Sequence, residues 1–261
     1  MRVGFLGLLL LAGCAGFHSR LDRRGEAAVD AVEASAPPVA RVHRDEVSPW
    51  QEIGRSVEGR PLRIRRVGHG PRRVIWVGGI HGNEREGALA TELLPDAFLQ
   101  EPGAVETVTL TILEDVNPDG SARRVRGNKN GVDLNRNYPA NNYLPGQGRG
   151  ERPLDQPEAY ALHELIVAER PHLVIVAHSW HDRHFINFDG PCRHLAERFS
   201  LHSGYPVEAS SNIAPTPGSL GSWVGRTLDL PILTLEYHRG HDQMRCWLDT
   251  REAILSVILS G

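Results

Sequence analysis

Four short apolar runs restrict this chain to a small set of folds. They are rich in Val, Ile and Leu and span residues 73–77, 107–113, 173–177 and 231–235. Continuous apolar runs of this length suit strands that are buried on both faces, and segments with helical spacing of apolar residues separate them. Strands that alternate with helices predict an α/β domain, a three-layer α/β/α sandwich with a mixed, mostly parallel central sheet.

The first 14 residues have the layout of an export signal. Arg2 supplies a positive start, residues 5–12 are apolar but too few to span a bilayer, and Gly13-Cys14 follows directly. This layout resembles a bacterial lipoprotein signal, in which Cys14 receives the lipid. A plain secretory signal with an incidental cysteine is the alternative. We therefore expect the protein to be exported and lipid-anchored in the bacterial cell envelope, facing the periplasm or the exterior.

The remainder of the chain divides into two parts by composition. Residues 15–47 are rich in Ala, Glu, Asp, Arg and Pro and predict a flexible tether, and residues 48–261 predict one folded domain. The formal net charge of the 261-residue chain is −3, and its arginines are scattered among 32 acidic residues. This charge pattern argues against a nucleic-acid partner. The chemistry must therefore come from local groups of residues.

Side chains that bind metals follow three of the apolar runs. His81 and Glu84 come after the run 73–77, His178 follows the run 173–177, and Glu236 follows the last run. Because the carboxyl ends of parallel strands meet at one edge of a sheet, we expect these side chains to lie together. Two histidines and one carboxylate suit Zn²⁺ and leave its fourth position open, as catalytic sites require. The sequence therefore predicts one Zn²⁺ per chain on His81, Glu84 and His178.

Glu236 is the residue that we expect to transfer the proton. A carboxylate at the end of an apolar strand is costly unless a charged group lies nearby. A second carboxylate that is not a ligand can take a proton from water and pass it to a leaving amine. The alternative for Glu236 is a buried structural acid with a partner. His81 and Glu84 alone also have an ordinary explanation, a loop histidine near a glutamate favoured by a helix dipole.

The segment 121–152 has little apolar periodicity, and loops of this length usually carry function in compact domains. Motifs occur in the order GIHGNE (79–84), NPDG (117–120), GVDLNRN (131–137), HS (178–179), PTPGS (215–219) and TLE (234–236). In this order they resemble the metallocarboxypeptidase family of zinc peptidases and, within it, the bacterial murein tripeptide amidases. A related branch that deacylates small N-acyl amino acids shares the first motif and is the second hypothesis.

The resemblance implies a zinc carboxypeptidase-like fold and zinc-dependent hydrolysis of an amide bond next to a free carboxylate. The implied substrate is a murein tripeptide, cut at the bond between γ-D-glutamate and diaminopimelate. In the family pattern, Arg126 stabilises the developing oxyanion, Asn135 and Arg136 bind the substrate's free carboxylate, and Asp133 orients His81. A fixed arginine suits both roles because its planar guanidinium donates to oxygens in pairs.

Two features of the sequence stay open. Family members often have a mobile tyrosine in the loop before Pro215, where this chain has Ala214, so closure over the substrate is in question. Cys192 and Cys246 could form a disulfide in an oxidising envelope, but their spacing does not establish one. Whether these two cysteines are bonded therefore stays open.

Overall fold

The computed structural model describes residues 46–213 and 215–260. The predicted signal with Cys14, the tether up to residue 45, and Ala214 lie outside the described residues. Glu46 and Val47, at the end of the predicted tether, contact the sheet: Gly68 N donates to Glu46 O at 3.0 Å, and Val47 pairs with Val67. No helix in this described part is long and apolar enough to cross a membrane.

Eight strands form one mixed sheet. They are β1 (Gln51–Arg55), β2 (Pro61–Val67), β3 (Arg72–Val77), β4 (Val108–Leu113), β5 (Leu173–Trp180), β6 (Phe185–Asp189), β7 (Val207–Ala209) and β8 (Ile232–His238). Their order across the sheet is β1-β2-β4-β3-β5-β8-β6-β7. The central strands β4, β3, β5 and β8 are parallel, whereas β2 pairs antiparallel with β4 and β6 antiparallel with β8. The sheet is therefore mixed and parallel at its centre.

Helices cover both faces of the sheet. They are α1 (Ala88–Leu99), α2 (Ala104–Thr107), α3 (Pro118–Arg123), α4 (Pro157–Glu169), α5 (Arg193–Ser203) and α6 (Gln243–Leu259), with 3-10 helices at Leu134–Arg136 and Ser210–Asn212 and a π-helix at Ser222–Thr227. Residues of α1, α5 and α6 share one apolar core with the sheet, and residues of α4 and the π-helix share the other. The predicted three-layer α/β/α fold is confirmed.

Strand β3 shows why the buried strands are continuous apolar runs. Val74 and Trp76 belong to the core beneath α1, α5 and α6, and Ile75 and Val77 belong to the core beneath α4. All four side chains are fully buried. Consecutive side chains of a strand point to opposite faces, so a strand between two helical layers needs apolar residues at every position.

Some features of the elements do not follow from the apolar runs of the sequence. Strand β1 was not predicted, because it is an edge strand whose residues are polar and mostly exposed. Helix α1 continues through Pro95, because burial of Leu94, Pro95 and Phe98 offsets the missing hydrogen bond. Helix α6 begins at Gln243, since the Asp242 side chain caps it by accepting from Arg245 N at 3.0 Å.

The two cysteines of the folded domain are both free and buried. Burial raises the pKa of the Cys192 thiol to about 11 and that of Cys246 to about 11, so both side chains behave as small apolar groups. The sequence left their pairing open, and in the described part of the structure neither is part of a disulfide.

Candidate active site

The loop after β3 carries His81 and Glu84, and glycines make its path possible. Gly79 has φ +68°, in the left-handed region, and a Cβ there would lie 2.2 Å from Asp115 Oδ1. Gly82 packs against the backbone of α3, where a Cβ would lie 2.0 Å from a carbonyl carbon. The loop can therefore fold tightly onto the edge of the sheet, which leaves only 3% of His81 exposed.

The structure brings the three predicted metal ligands together. His81, Glu84 and His178 each offer one ligand atom, and these atoms all lie within 4.8 Å of one another. His178 Nδ1 is 2.8 Å from Glu84 Oε2, and His81 Nδ1 is 3.0 Å from Glu84 Oε1. His178 does not follow β5 but lies within it, because β5 and β8 continue beyond the predicted runs. In that extension His178 pairs in register with Glu236.

The ring nitrogens of the two histidines fit a metal ion. His81 Nε2 is 2.9 Å from Asp133 Oδ1, and His178 Nε2 is 3.2 Å from Asn135 Nδ2, so both Nδ1 atoms face Glu84. His81 Nδ1 is buried and makes no hydrogen bond with the described residues, although Glu84 Oε1 is only 3.0 Å away. An unsatisfied buried nitrogen is costly, and a metal ion on this atom would satisfy it. Two such nitrogens and one carboxylate form the ligand set of a catalytic zinc site.

Glu84 is a buried carboxylate surrounded by donors. Besides the two histidines, Arg126 Nη1 and Arg239 Nη2 each donate to Oε1 of Glu84 at 2.9 Å. Ser179 N donates to Oε2 at 3.1 Å. Burial by itself would raise the pKa of Glu84, but the close contacts and charges of His178 and His81 outweigh it and hold that pKa far below its usual range. Glu84 is therefore ionised at every pH at which the protein would work, as a metal ligand must be.

The electrostatic environment of Glu236 is the opposite of that of Glu84. It is 9% exposed, and no hydrogen-bond or ion-pair partner for its side chain lies within residues 46–213 and 215–260. Burial raises the pKa of Glu236 to about 7, although the charge of His178 opposes this effect. A carboxyl group that titrates near neutral pH can accept a proton and then return it. Glu236 lies on the neighbouring strand, in register with His178.

Arg126 is fixed beside Glu84 through its side chain and its backbone. Its Nε donates to Asp133 Oδ2 at 2.9 Å, and its carbonyl oxygen accepts from Asn117 Nδ2 at 3.1 Å. The same amide nitrogen lies 3.3 Å from Ile80 O, in the loop after β3, and Asn117 is fully buried. The NPDG motif therefore ties the loop of Arg126 to the loop of the metal ligands. The sequence indicated that this motif mattered but not what it contacts.

Asn135 and Arg136 were predicted to bind the substrate's carboxylate, and both lie in the 3-10 helix after Asp133. The Asn135 side chain is occupied within the protein, since Oδ1 accepts from Leu220 N at 2.9 Å and Nδ2 is 3.2 Å from His178 Nε2. Arg136 Nη1 donates to Asn135 O at 2.6 Å, and no carboxylate of the described residues lies within ion-pair distance of this guanidinium. Arg136 is thus open to an external carboxylate. Carboxylate binding by Asn135 stays a prediction.

The sequence matches the zinc carboxypeptidase (peptidase M14) family over residues 39–226. The chain belongs to this family and is a peptide hydrolase. The matched span contains His81, Glu84 and His178 but ends before Glu236. The family match therefore does not cover Glu236. Its position next to the metal ligands is shown by the register of β5 and β8, in which it pairs with His178.

Individual relatives indicate which members of the family this chain is similar to. The chain is 30% identical over 220 residues to murein peptide amidase A of Escherichia coli (strain K12), which covers 76% of this chain and 85% of the relative. It is 27% identical over 218 residues to gamma-D-glutamyl-L-diamino acid endopeptidase 1 of Lysinibacillus sphaericus, covering 62% and 54%. The crystal structure of murein-tripeptide amidase from Escherichia coli O157 has a TM-score of 0.64 at 25% identity, covering 81% of this chain and 92% of that one.

Proposed function

We propose that the protein is a zinc-dependent amidase that cuts peptidoglycan-derived peptides between γ-D-glutamate and a diamino acid such as diaminopimelate. The observation that carries the proposal is the convergence of three ligand atoms within 4.8 Å, on His81, Glu84 and His178, with the unpartnered carboxyl group of Glu236 on the neighbouring strand. The name of the Escherichia coli relative supports a murein peptide as substrate, and the name of the Lysinibacillus sphaericus relative supports the choice of bond. The open guanidinium of Arg136 supports a substrate with a free carboxylate.

Each residue then has one chemical role. The metal ligands would be His81, Glu84 and His178, which would hold one Zn²⁺ per chain. Bound there, zinc supplies Lewis acidity and lowers the pKa of water. Glu236 takes a proton from the attacking water and delivers it to the leaving amine nitrogen. Arg126 donates to the carbonyl oxygen as it gains negative charge, and Arg136 holds the free carboxylate of the leaving residue in a two-pronged interaction.

Hydrolysis of a defined tripeptide tests the proposal. Incubation of the zinc-loaded protein with L-alanyl-γ-D-glutamyl-diaminopimelate is expected to release free diaminopimelate and the alanyl-glutamate dipeptide, detected by mass spectrometry. We expect a chelator to stop the reaction and metal analysis to find about one zinc per chain. Small N-acyl amino acids serve as the comparison substrates. Cleavage of these compounds without cleavage of the tripeptide would favour the deacylase hypothesis and overturn the proposal.

We also propose that the protein is held at a bacterial membrane through lipid on Cys14. The support is the apolar run 5–12 followed directly by Gly13-Cys14. Bacteria that express the full chain and are fed a labelled fatty acid are expected to yield labelled protein in the membrane fraction. The Cys14→Ser variant is expected to lose the label and leave that fraction. An unlabelled, soluble wild-type protein would contradict lipidation and leave the plain secretory signal.

A further inference from the structure

Arg239 lies in the active site but was not indicated by any motif in the sequence. It follows β8, where its backbone N–H donates to Trp180 O at 2.8 Å. Its side chain is 26% exposed, and Nη2 donates to Glu84 Oε1 at 2.9 Å and contacts Ser179 O at 3.5 Å. The Nε atom is buried and has no hydrogen-bond partner among the described residues. The protein itself thus leaves part of this guanidinium unsatisfied.

Arg239 shares its acceptor with a second arginine. Arg126 Nη1 also donates to Glu84 Oε1 at 2.9 Å, and His81 Nδ1 lies 3.0 Å from that oxygen. A divalent cation bound to Glu84 would repel both guanidinium groups from this carboxylate. Arg126 would keep Asp133, to which its Nε donates at 2.9 Å. Arg239 has no second carboxylate within ion-pair distance in the described part of the chain, so a loaded site would weaken the one ion pair that it makes there.

A partly buried cation without an anion is unfavourable unless a ligand supplies one. The position of Arg239 indicates where that ligand would carry its charge. A row of contacts leads from Asn135 Nδ2 to His178 Nε2 at 3.2 Å, from His178 Nδ1 to Glu84 Oε2 at 2.8 Å, and from Glu84 Oε1 to Arg239 at 2.9 Å. Arg136 is therefore next to the residue that contacts His178 at Nε2, whereas Arg239 contacts the carboxylate that His178 approaches with Nδ1.

We propose that Arg239 binds a second carboxylate of the substrate, on the acyl side of the bond that is cut. A γ-glutamyl residue has such a group, because linkage through its side chain leaves its α-carboxylate free, whereas an ordinary peptide has an amide there. This inference rests on the proposed function and deepens it. Arg136 and Arg239 together select a peptide with a carboxylate on each side of the scissile amide, and Arg239 gives the preference for the γ-linkage.

Two peptides that differ in one group test the role of Arg239. One is L-alanyl-γ-D-glutamyl-diaminopimelate, and the other has γ-D-isoglutamine, whose α-carboxylate is a neutral carboxamide. We expect zinc-loaded wild-type protein to prefer the carboxylate peptide in kcat/KM by roughly 10- to 100-fold, the usual worth of a charge-assisted hydrogen bond. Arg239→Met is expected to reduce that ratio to near one. Arg239→Lys is expected to keep part of it, since lysine retains the charge but not the planar fork.

The matched control is Arg245→Met. Arg245 is an exposed arginine of α6 that pairs with Asp249 at 2.8 Å, outside the site, so this variant is expected to keep the wild-type ratio. Binding gives a second readout that does not depend on turnover. Calorimetry on zinc-loaded Glu236→Gln protein is expected to show the same preference for the carboxylate peptide, and addition of Arg239→Met is expected to remove it. Zinc content is measured for every variant.

The outcomes separate the two proposals. If Arg239→Met lowers kcat/KM equally for both peptides, or loses its zinc, then Arg239 only positions Glu84 and the inference is wrong while the proposed function stands. The inference is also wrong if wild-type protein cleaves both peptides equally well. If zinc-loaded wild-type protein cleaves neither peptide, the proposed function is wrong and the role of Arg239 falls with it.

Discussion

The Glu236→Gln variant is expected to lose about 10²- to 10⁴-fold in kcat while it keeps about one zinc per chain. Glutamine has nearly the shape of glutamate but cannot accept the proton of the attacking water. Glu236 is not among the three residues whose ligand atoms converge, so metal binding should survive its replacement. Turnover of the tripeptide, zinc content and peptide affinity, measured on the same preparation, separate a loss of chemistry from a loss of binding.

The same variant is expected to be more stable than the wild type when both are metal-free. Burial raises the folded-state pKa of Glu236 to about 7 from 4.5. A raised carboxyl pKa means that the folded state prefers the protonated form. Its contribution is fully present below pH 4.5 and is lost as pH rises through about 7. Above that pH the ionised wild-type side chain costs up to about 3 kcal/mol, a cost that the neutral glutamine avoids.

Denaturant unfolding at several pH values measures this effect. The difference in the free energy of unfolding between Glu236→Gln and wild type should be smallest near pH 4.5 and should reach its largest value above about 7. Two curves that run parallel across this range would show that Glu236 is not the buried, unpartnered acid described here. Retention of more than a tenth of the wild-type kcat would contradict its role as the general base.

The buried strands and their carboxyl-end residues could be predicted because they depend on local patterns. Runs of β-branched residues predicted β3, β5 and β8, and parallel strands place the residues near their ends at one edge. These two arguments were sufficient to predict that His81, Glu84 and His178 lie close together. The polar edge strand β1 lacked such a pattern and was missed.

Contacts between distant loops could not be predicted in the same way. Glu84 and Arg239 are separated by 155 positions, and Asn117 and Ile80 by 37, so no local periodicity relates them. The motif NPDG was visible, but only the structure shows that Asn117 supports Arg126. Arg239 follows the strand of Glu236, and a basic residue just beyond a strand end that carries a catalytic acid is the one signal that could have indicated it.

The Glu84→Gln variant is expected to behave in the opposite way from Glu236→Gln, although both residues are buried glutamates of one site. In the metal-free protein, removal of the Glu84 charge leaves the guanidinium groups of Arg126 and Arg239, both 2.9 Å away, without this shared carboxylate. Breaking a buried ion pair on one side costs about 3 to 5 kcal/mol. We therefore expect Glu84→Gln to lower the free energy of unfolding by about 3 kcal/mol and also to weaken zinc binding strongly.

The pH dependence distinguishes the two variants. The folded-state pKa of Glu84 lies far below 4.5, because the close contacts and charges of His178 and His81 outweigh the effect of burial. Its stabilisation is therefore fully present above pH 4.5 and is lost only as pH falls through the much lower folded-state pKa. The destabilisation of Glu84→Gln should consequently be present from about pH 5 upward and should decrease as His81 loses its proton, since, against the effect of burial, Asp133 and Glu84 together raise the pKa of His81. The effect of Glu236→Gln should instead grow as pH rises to about 7.

Glu86→Gln provides the matched control for Glu84→Gln. Glu86 is 8% exposed and accepts from Gly240 N at 2.7 Å and from the Ser179 hydroxyl, but no cationic side chain of residues 46–213 and 215–260 lies within ion-pair distance of it. Its replacement should cost about 1 kcal/mol and leave zinc bound. Equal losses of stability in both variants, or full zinc occupancy in Glu84→Gln, would show that Glu84 is only a hydrogen-bonded loop residue. A large loss of stability in Glu84→Gln alone would instead show that the site assembles around the Glu84 carboxylate. Two arginines and two histidines surround this carboxylate before any metal binds.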